Sequence, residues 1–229
     1  MALLALLDVD GTLLLTPDPL SSEALIATVR EVYGVSPPDD AVEHVDHEGQ
    51  TSKRIARLVL EAQGLDTQRI DGRLDEWCER FAARYVELLE ARSPAGWEAA
   101  PGAKDALERL QQAGLRLALL TGNPEPMARA RMARLGLLRF FPRGQGAFGC
   151  DREERAALIT LARERAGDWP AERTVEIGDT PRDAETAHTA RVRSIVVPSE
   201  RTPTPAAADA VCGSLRDAAD VLLAWNSRP

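Results

Sequence analysis

Leu3-Leu4-Ala5-Leu6-Leu7-Asp8-Val9-Asp10-Gly11-Thr12-Leu13 is the stretch that decides how this chain is read. An apolar run this short reads as a strand buried on both faces, the mark of a parallel sheet covered by helices. It ends in two carboxylates one residue apart and an Asp-Gly turn. The run from Met1 to Leu7 could pass for a secretory core. It has no basic start, however, meets a charge at Asp8 and carries no small-residue cleavage site.

The same signature returns at Leu115–Leu120 before Thr121-Gly122-Asn123, at Thr174–Ile177 before Gly178-Asp179, and at Ser194–Val197. Between these runs lie helix-period stretches at about 102–113, 125–135, 153–166 and 182–190. Pro101-Gly102 and Pro124 mark helix starts, and Gly114 and Gly136 sit where C-terminal glycines belong. Strand alternating with helix predicts an α/β, doubly wound parallel sheet. One region breaks the alternation. From Ser21 to about Arg92 there are only amphipathic helical segments, Ser22–Tyr33, Thr51–Gln63 and Ile70–Leu89. They form an all-helical insert just after the first strand, at the sheet edge where open α/β folds bind ligands. The expected division is a core of 1–15 and 93–229 with a helical cap of 16–92. Pro198–Pro205 reads as a loop and Leu215–Trp225 as a closing helix.

With 229 residues, 44% of them apolar, the chain buries enough core to need no staples. Its charge, 28 − 36 = −8, excludes a nucleic-acid partner and docking on an anionic membrane. No apolar run reaches the roughly 20 residues of a membrane span. Cys78, Cys150 and Cys212 are odd in number and far apart, which argues against disulfides and zinc and for a reducing, cytoplasmic setting. Lys53 and Lys104 are the only lysines, so the other 28 − 2 = 26 cations are arginines.

The chemistry concentrates at the strand ends. Asp8 and Asp10 are costly to hold charged at a buried edge without a cation, although an Asx turn would use one of them. Thr121-Gly122-Asn123 before a helix offers a hydroxyl and backbone amides to a phosphate, and is also an ordinary turn. Asp179 and Asp183 can face one way at a helix start, or simply cap it. Parallel topology draws Asp8, Asp10, Thr121 and Asp179 to one edge. Such a carboxylate set suits Mg²⁺, and with the hydroxyl and amides it describes a phosphoryl-transfer site.

In Asp8-Val9-Asp10-Gly11-Thr12-Leu13, Thr121 and Gly178-Asp179 with Asp183, the chain resembles the haloacid dehalogenase superfamily, in its phosphatase branch with a helical cap. The likeness runs from Leu3 to about Leu223. It implies that Asp8 is a nucleophile forming a phosphoaspartate and that Asp10 is the general acid–base. It further implies that Asp8, Asp179 and the Asp10 carbonyl bind Mg²⁺, with Asp183 beside them. Gly11, Thr121, Gly122 and Asn123 are then the phosphate-binding residues. The family's third motif carries a lysine, and this chain has none between Thr121 and Asp179. Arg155 is the expected replacement, ahead of Arg152, because a guanidinium binds phosphate through two donors. Arg191 stands where similar sequences often have glycine.

His44 and His47, with Asp46 and Glu48, lack a third strong metal ligand. They read as cap loop, in which His47, Gln50, Thr51 or Arg54 could reach a substrate. Trp77 and Phe81 read as cap core, and Trp97 as hinge packing. The expected activity is Mg²⁺-dependent hydrolysis of a small phosphorylated metabolite, similar to phosphoglycolate phosphatases, by a monomer or homodimer. The alternatives are a β-phosphoglucomutase-like phosphoryl transferase and a non-catalytic binding protein on the same fold.

Overall fold

A computed structural model describes residues 1–92, 96–198 and 207–227. The strands are β1 (Leu4–Leu7), β2 (Arg116–Thr121), β3 (Ala147–Phe148), β4 (Thr174–Gly178), β5 (Arg193–Val196) and β6 (Ala210–Val211). They form one parallel sheet in the order β3-β2-β1-β4-β5-β6. Helices α1 (Pro19–Tyr33), α2 (Ser52–Ala62), α3 (Thr67–Asp71) and α4 (Leu74–Arg92) follow β1 directly. The others alternate with strands: α5 (Ala103–Gln112), α6 (Glu125–Arg134), α7 (Arg155–Arg165), α8 (Pro181–Thr189) and α9 (Leu215–Asn226).

The strand side chains alternate between two apolar layers. Leu3, Ala5 and Leu7 pack with α5, α6 and α9, while Leu4 and Leu6 pack with α7 and α8. That is why β1 carries no polar face. A third cluster unites α1, α2, α3 and α4 around Trp77, Phe81 and Tyr85, and its one member from α6 is Met127. Trp77 and Phe81 stack at 4.9 Å, as cap-core residues should.

The helix expected over Ile70–Leu89 is two helices. Asp66 caps α3 by accepting from the Arg69 N–H, and Gly72 closes it, so Ile70 belongs to the earlier turn. The two-residue strands β3 and β6 are too short for a periodicity to show. The cysteine reading is corrected outright. Cys78 on α4 and Cys150 after β3 form a disulfide across 72 residues, and Cys212 is buried and free. Distance in sequence says nothing about distance in the fold, so a cysteine count could not reveal this bond between insert and core. The loop expected at Pro198–Pro205 and the boundary expected at 92/93 fall largely outside the described residues. Among the described residues, no helix is long and apolar enough to cross a membrane.

Candidate active site

Asp8 follows β1 and Asp179 follows β4, and these strands are neighbours in the middle of the sheet. The ladder continues one step past β1, where the Asp8 N–H donates to the Ile177 carbonyl at 2.9 Å. Period two continues as well. Asp8 falls on the α7/α8 side after Leu4 and Leu6, and Glu176 occupies the same side of β4. Asp8, Asp179 and Asp183 are buried, and each offers a carboxylate oxygen within 4.8 Å of the others. Gly11 turns the loop with φ of 77°, and a Cβ there would overlap the Asp179 carboxylate, so both the turn and the approach require glycine.

Arg155, the first residue of α7, is buried among these acids. Its Nη2 lies 3.2 Å from Asp8 Oδ2 and donates to Asp183 Oδ1 at 2.6 Å. Its Nη1 donates to the Gly49 carbonyl of the helical insert at 3.1 Å. Its Nε faces Glu176 at 3.8 Å without a hydrogen bond, and neither Glu176 oxygen has a hydrogen-bond partner. Arg152 is exposed and donates to the Asp151 carbonyl, while Lys104 is exposed on α5. Of the two expected arginines, then, only Arg155 reaches Asp8.

Three buried carboxylates, Asp8, Asp183 and Glu176, thus surround one guanidinium, and Asp179 lies beside Asp8 and Asp183. Burial pushes Asp8 up to about 7 against the pull of Arg155, with Asp183, Asp10 and Asp179 adding to the rise. Burial first, then the charge of Asp183, holds Glu176 well above the usual carboxylate range. A surplus of hard oxygen donors with too little positive charge fits a divalent cation. Asp183 is the most heavily engaged of them. Its Oδ1 is held by Arg155, and its Oδ2 accepts from the N–H and hydroxyl of Thr180 in a capping box that starts α8. Thr180, and not Asp179, is therefore the cap of that helix.

Asp10 lies apart from this cluster. Its side chain is 52% exposed, and both its oxygens accept from Arg131 Nη1, at 2.7 and 2.8 Å. Asn123 Nδ2 donates to Asp10 at 2.6 Å and to Thr121 Oγ1 at 2.9 Å, which links the first two motifs. The Asn123 N–H also leans on Thr121 Oγ1, at 3.3 Å.

The insert is closed over this edge. The Ser52 N–H and hydroxyl both donate to the Gly122 carbonyl at 2.8 Å, and the Lys53 N–H donates to that of Gly149 at 3.3 Å. The Gln50 carbonyl presses on Gly122 so closely that a Cβ there would overlap it. The Thr51 hydroxyl donates to the Glu153 carbonyl at 2.6 Å, and Arg54 lies 3.6 Å from the Glu153 carboxylate. His47 bonds the Val45 carbonyl and His44 pairs with Asp40, so the two histidines do not meet at a common centre. Arg182 at the start of α8 pairs with Asp46.

Residues 3–191 match the family model of the haloacid dehalogenase-like hydrolases. The chain belongs to that family. It is 31% identical to a phosphoglycolate phosphatase of Agrobacterium fabrum, covering 88% of this chain and 83% of the relative. It is 29% identical to one of Mesorhizobium japonicum, over 83% and 80% of the two chains. Among solved structures it is similar to CbbY from Rhodobacter sphaeroides in complex with phosphate, with a TM-score of 0.68. That likeness covers 95% of this chain and 96% of the other at 24% identity, which speaks to the fold. The family and these relatives make the chain an enzyme of the phosphatase type.

Within this haloacid dehalogenase-like hydrolase, an open cleft of about 830 Å³ lies elsewhere, between α4 and the segments 124–126 and 148–151. Asp75, Glu79, Glu87, Glu125 and Asp151 line it. Sequence reasoning missed Glu176, Arg131, Asp18 and Tyr85. For Glu176 a signal existed: a carboxylate at an inward position of a strand buried on both faces. Arg131 is one arginine among many, and nothing local marks it.

Proposed function

We propose that this chain hydrolyses a small phosphate monoester, phosphoglycolate or a close analogue, using Mg²⁺ and an aspartyl phosphate on Asp8. The observation that carries this reading is the division of labour between adjacent acids. Asp8 touches Arg155 and lies within ligand range of Asp179, while Asp10 is held separately by Arg131 and Asn123. The choice of ester leans on the relatives named phosphoglycolate phosphatase. The expected setting is the cytoplasm, where Cys78–Cys150 would have to persist against a reducing background.

In this reading an Asp8 oxygen attacks phosphorus, and the departing ester oxygen takes a proton from Asp10. Asp10, now a carboxylate, then accepts a proton from the water that attacks the aspartyl phosphate, which frees Asp8 and releases inorganic phosphate. Arg155 neutralises the phosphoryl oxygens, and Thr121 with the amides of Gly11, Gly122 and Asn123 orients them. Asp8, Asp179 and the Asp10 carbonyl would hold Mg²⁺, which supplies the charge that lets two anions approach. Asp183 works mainly by fixing Arg155 and the start of α8, because both its oxygens are already engaged. Residues 16–92 act as a cap that excludes water from a core of 1–15 and 93–229.

Phosphate release from phosphoglycolate and from p-nitrophenyl phosphate, with Mg²⁺ and with EDTA, tests the reading. Turnover that requires Mg²⁺ is expected. Full activity in chelator would refute the metal assignment, and no hydrolysis across a panel of phosphorylated metabolites would refute the activity.

A further inference from the structure

The largest buried charge that this mechanism leaves unused is Arg131, 1% exposed on α6. Every nitrogen of its guanidinium has a partner. Nη1 donates to both oxygens of Asp10, Nη2 to Asp18 Oδ2 at 2.7 Å, and Nε to the Tyr85 hydroxyl at 3.0 Å. The Tyr85 hydroxyl in turn donates to Asp18 Oδ2 at 2.5 Å, and the guanidinium lies over the Tyr85 ring, 5.2 Å from its centre. Asp18 is 2% exposed and caps α1, accepting from the Leu20 N–H at 3.1 Å, and Tyr85 is a buried residue of α4.

A buried guanidinium is a poor way to gain stability, since apolar residues of similar volume often do as well or better. What this one does is geometric. It joins three parts of the chain: the loop that carries Asp10, the first turn of the helical insert, and the insert's long helix. One nitrogen, Nη1, spans both Asp10 oxygens while Nη2 and Nε hold Asp18 and Tyr85, a three-way reach that an ammonium lacks. Asp18 and Tyr85 thus fix the guanidinium from behind. Asp10 is otherwise held by Asn123 and is half open to solvent, so its orientation depends on this assembly.

We propose that Arg131 is a positioning residue for Asp10, and that through Asp18 and Tyr85 it makes the acid–base orientation conditional on the helical insert being docked. Arg131 acts on the reacting atoms only through Asp10. The inference rests on the acid–base role given to Asp10 above.

The test compares wild type, Asp10→Asn, Arg131→Met, Arg131→Lys and Tyr85→Phe on two Mg²⁺-loaded reactions. One substrate is an alkyl phosphate, whose leaving group needs a proton. The other is p-nitrophenyl phosphate, whose leaving group hardly does. Arg131→Met should lower kcat/KM for the alkyl ester, which reports the steps up to departure of the leaving group, by about 10–100-fold, the scale of a misplaced catalytic group. The aryl ester should lose much less. Arg131→Lys keeps the charge but cannot hold Asp10, Asp18 and Tyr85 at once, and should fall between wild type and Arg131→Met, with the same selectivity. Tyr85→Phe should show a smaller loss of the same kind. Arg131→Met with Asp10→Asn should be no slower than Asp10→Asn alone, as for residues acting as a unit.

Should Arg131→Met fail to fold because it strands Asp18, Arg131→Lys and Tyr85→Phe carry the test. Equal losses in kcat/KM on both esters, or additive effects with Asp10→Asn, would overturn the inference while the phosphatase reading stands. Arg131→Lys matching wild type on the alkyl ester would do the same. Wild-type protein that hydrolyses neither ester, or Asp10→Asn that lowers kcat/KM of both alike, would overturn the underlying reading and this inference with it.

Discussion

Asp8 and Asp10 are one residue apart and live in opposite surroundings. Asp8 is buried, faces α7 and α8, and shares one arginine with two other carboxylates. Asp10 is half exposed, faces α6, and both its oxygens accept from one nitrogen of Arg131. On one side negative charge outruns positive, and Asp8 is pushed up to about 7 by its burial. On the other, two carboxylates and a phenol enclose a single buried guanidinium. Identical side chains thus sit in different environments. The Asp8 side is far shorter of positive charge than the Asp10 side.

The comparison breaks most visibly under substitution of the two acids. Asp8→Asn should reduce turnover to background on every ester, because an amide cannot form the acyl phosphate. Near wild-type rates in steady-state assays would end the distinction between the acids. Asp10→Asn should cost about 10²–10⁴-fold in kcat/KM on alkyl esters, the range for general acid–base groups, and distinctly less on p-nitrophenyl phosphate.

The Asp8 side is sharpened by Arg155. Arg155→Ala should cost about 10²–10³-fold in kcat, as for loss of a donor aimed at developing charge, and should raise KM as well. Arg155→Lys should recover part of this, while exposed Arg152→Ala should leave the kinetics unchanged. Equal effects of Arg152→Ala and Arg155→Ala would remove Arg155 from the site.

The smallest effect expected is on stability. Glu176 has its folded pKa raised by burial, so it supports the fold at low pH, and that support is lost as pH rises through the folded value. Glu176→Gln should therefore gain thermal stability over wild type in EDTA at pH 8 and little at pH 5. The scale is about 2–4 °C per kcal/mol for a chain of this size. A melting-temperature difference that shrinks with rising pH would contradict a buried, poorly compensated carboxylate.

The Asp8 side of the comparison was legible in the sequence because strand chemistry is local. Apolar runs ending at Asp8, Thr121 and Asp179 name the sheet edge, and parallel pairing does the gathering. Arg155 follows only from the family resemblance, whose third-motif lysine this chain lacks. The Asp10 side was not legible. Arg131, Asp18 and Tyr85 come from three segments 46 to 113 residues apart, and each looks like a surface arginine, a helix cap or a core aromatic. Cys78 and Cys150 were hidden for the same reason. Glu176 was concealed differently: it stands inside a strand read for its apolar neighbours, and only its face reveals the charge.

The central claim, that Asp8 attacks phosphorus, is tested most directly by stereochemistry. An ester made chiral at phosphorus with isotopic oxygen and sulfur should be hydrolysed with net retention, because attack by Asp8 and then by water inverts phosphorus twice. Net inversion would mean that water attacks the ester in one step and that Asp8 carries no phosphoryl group.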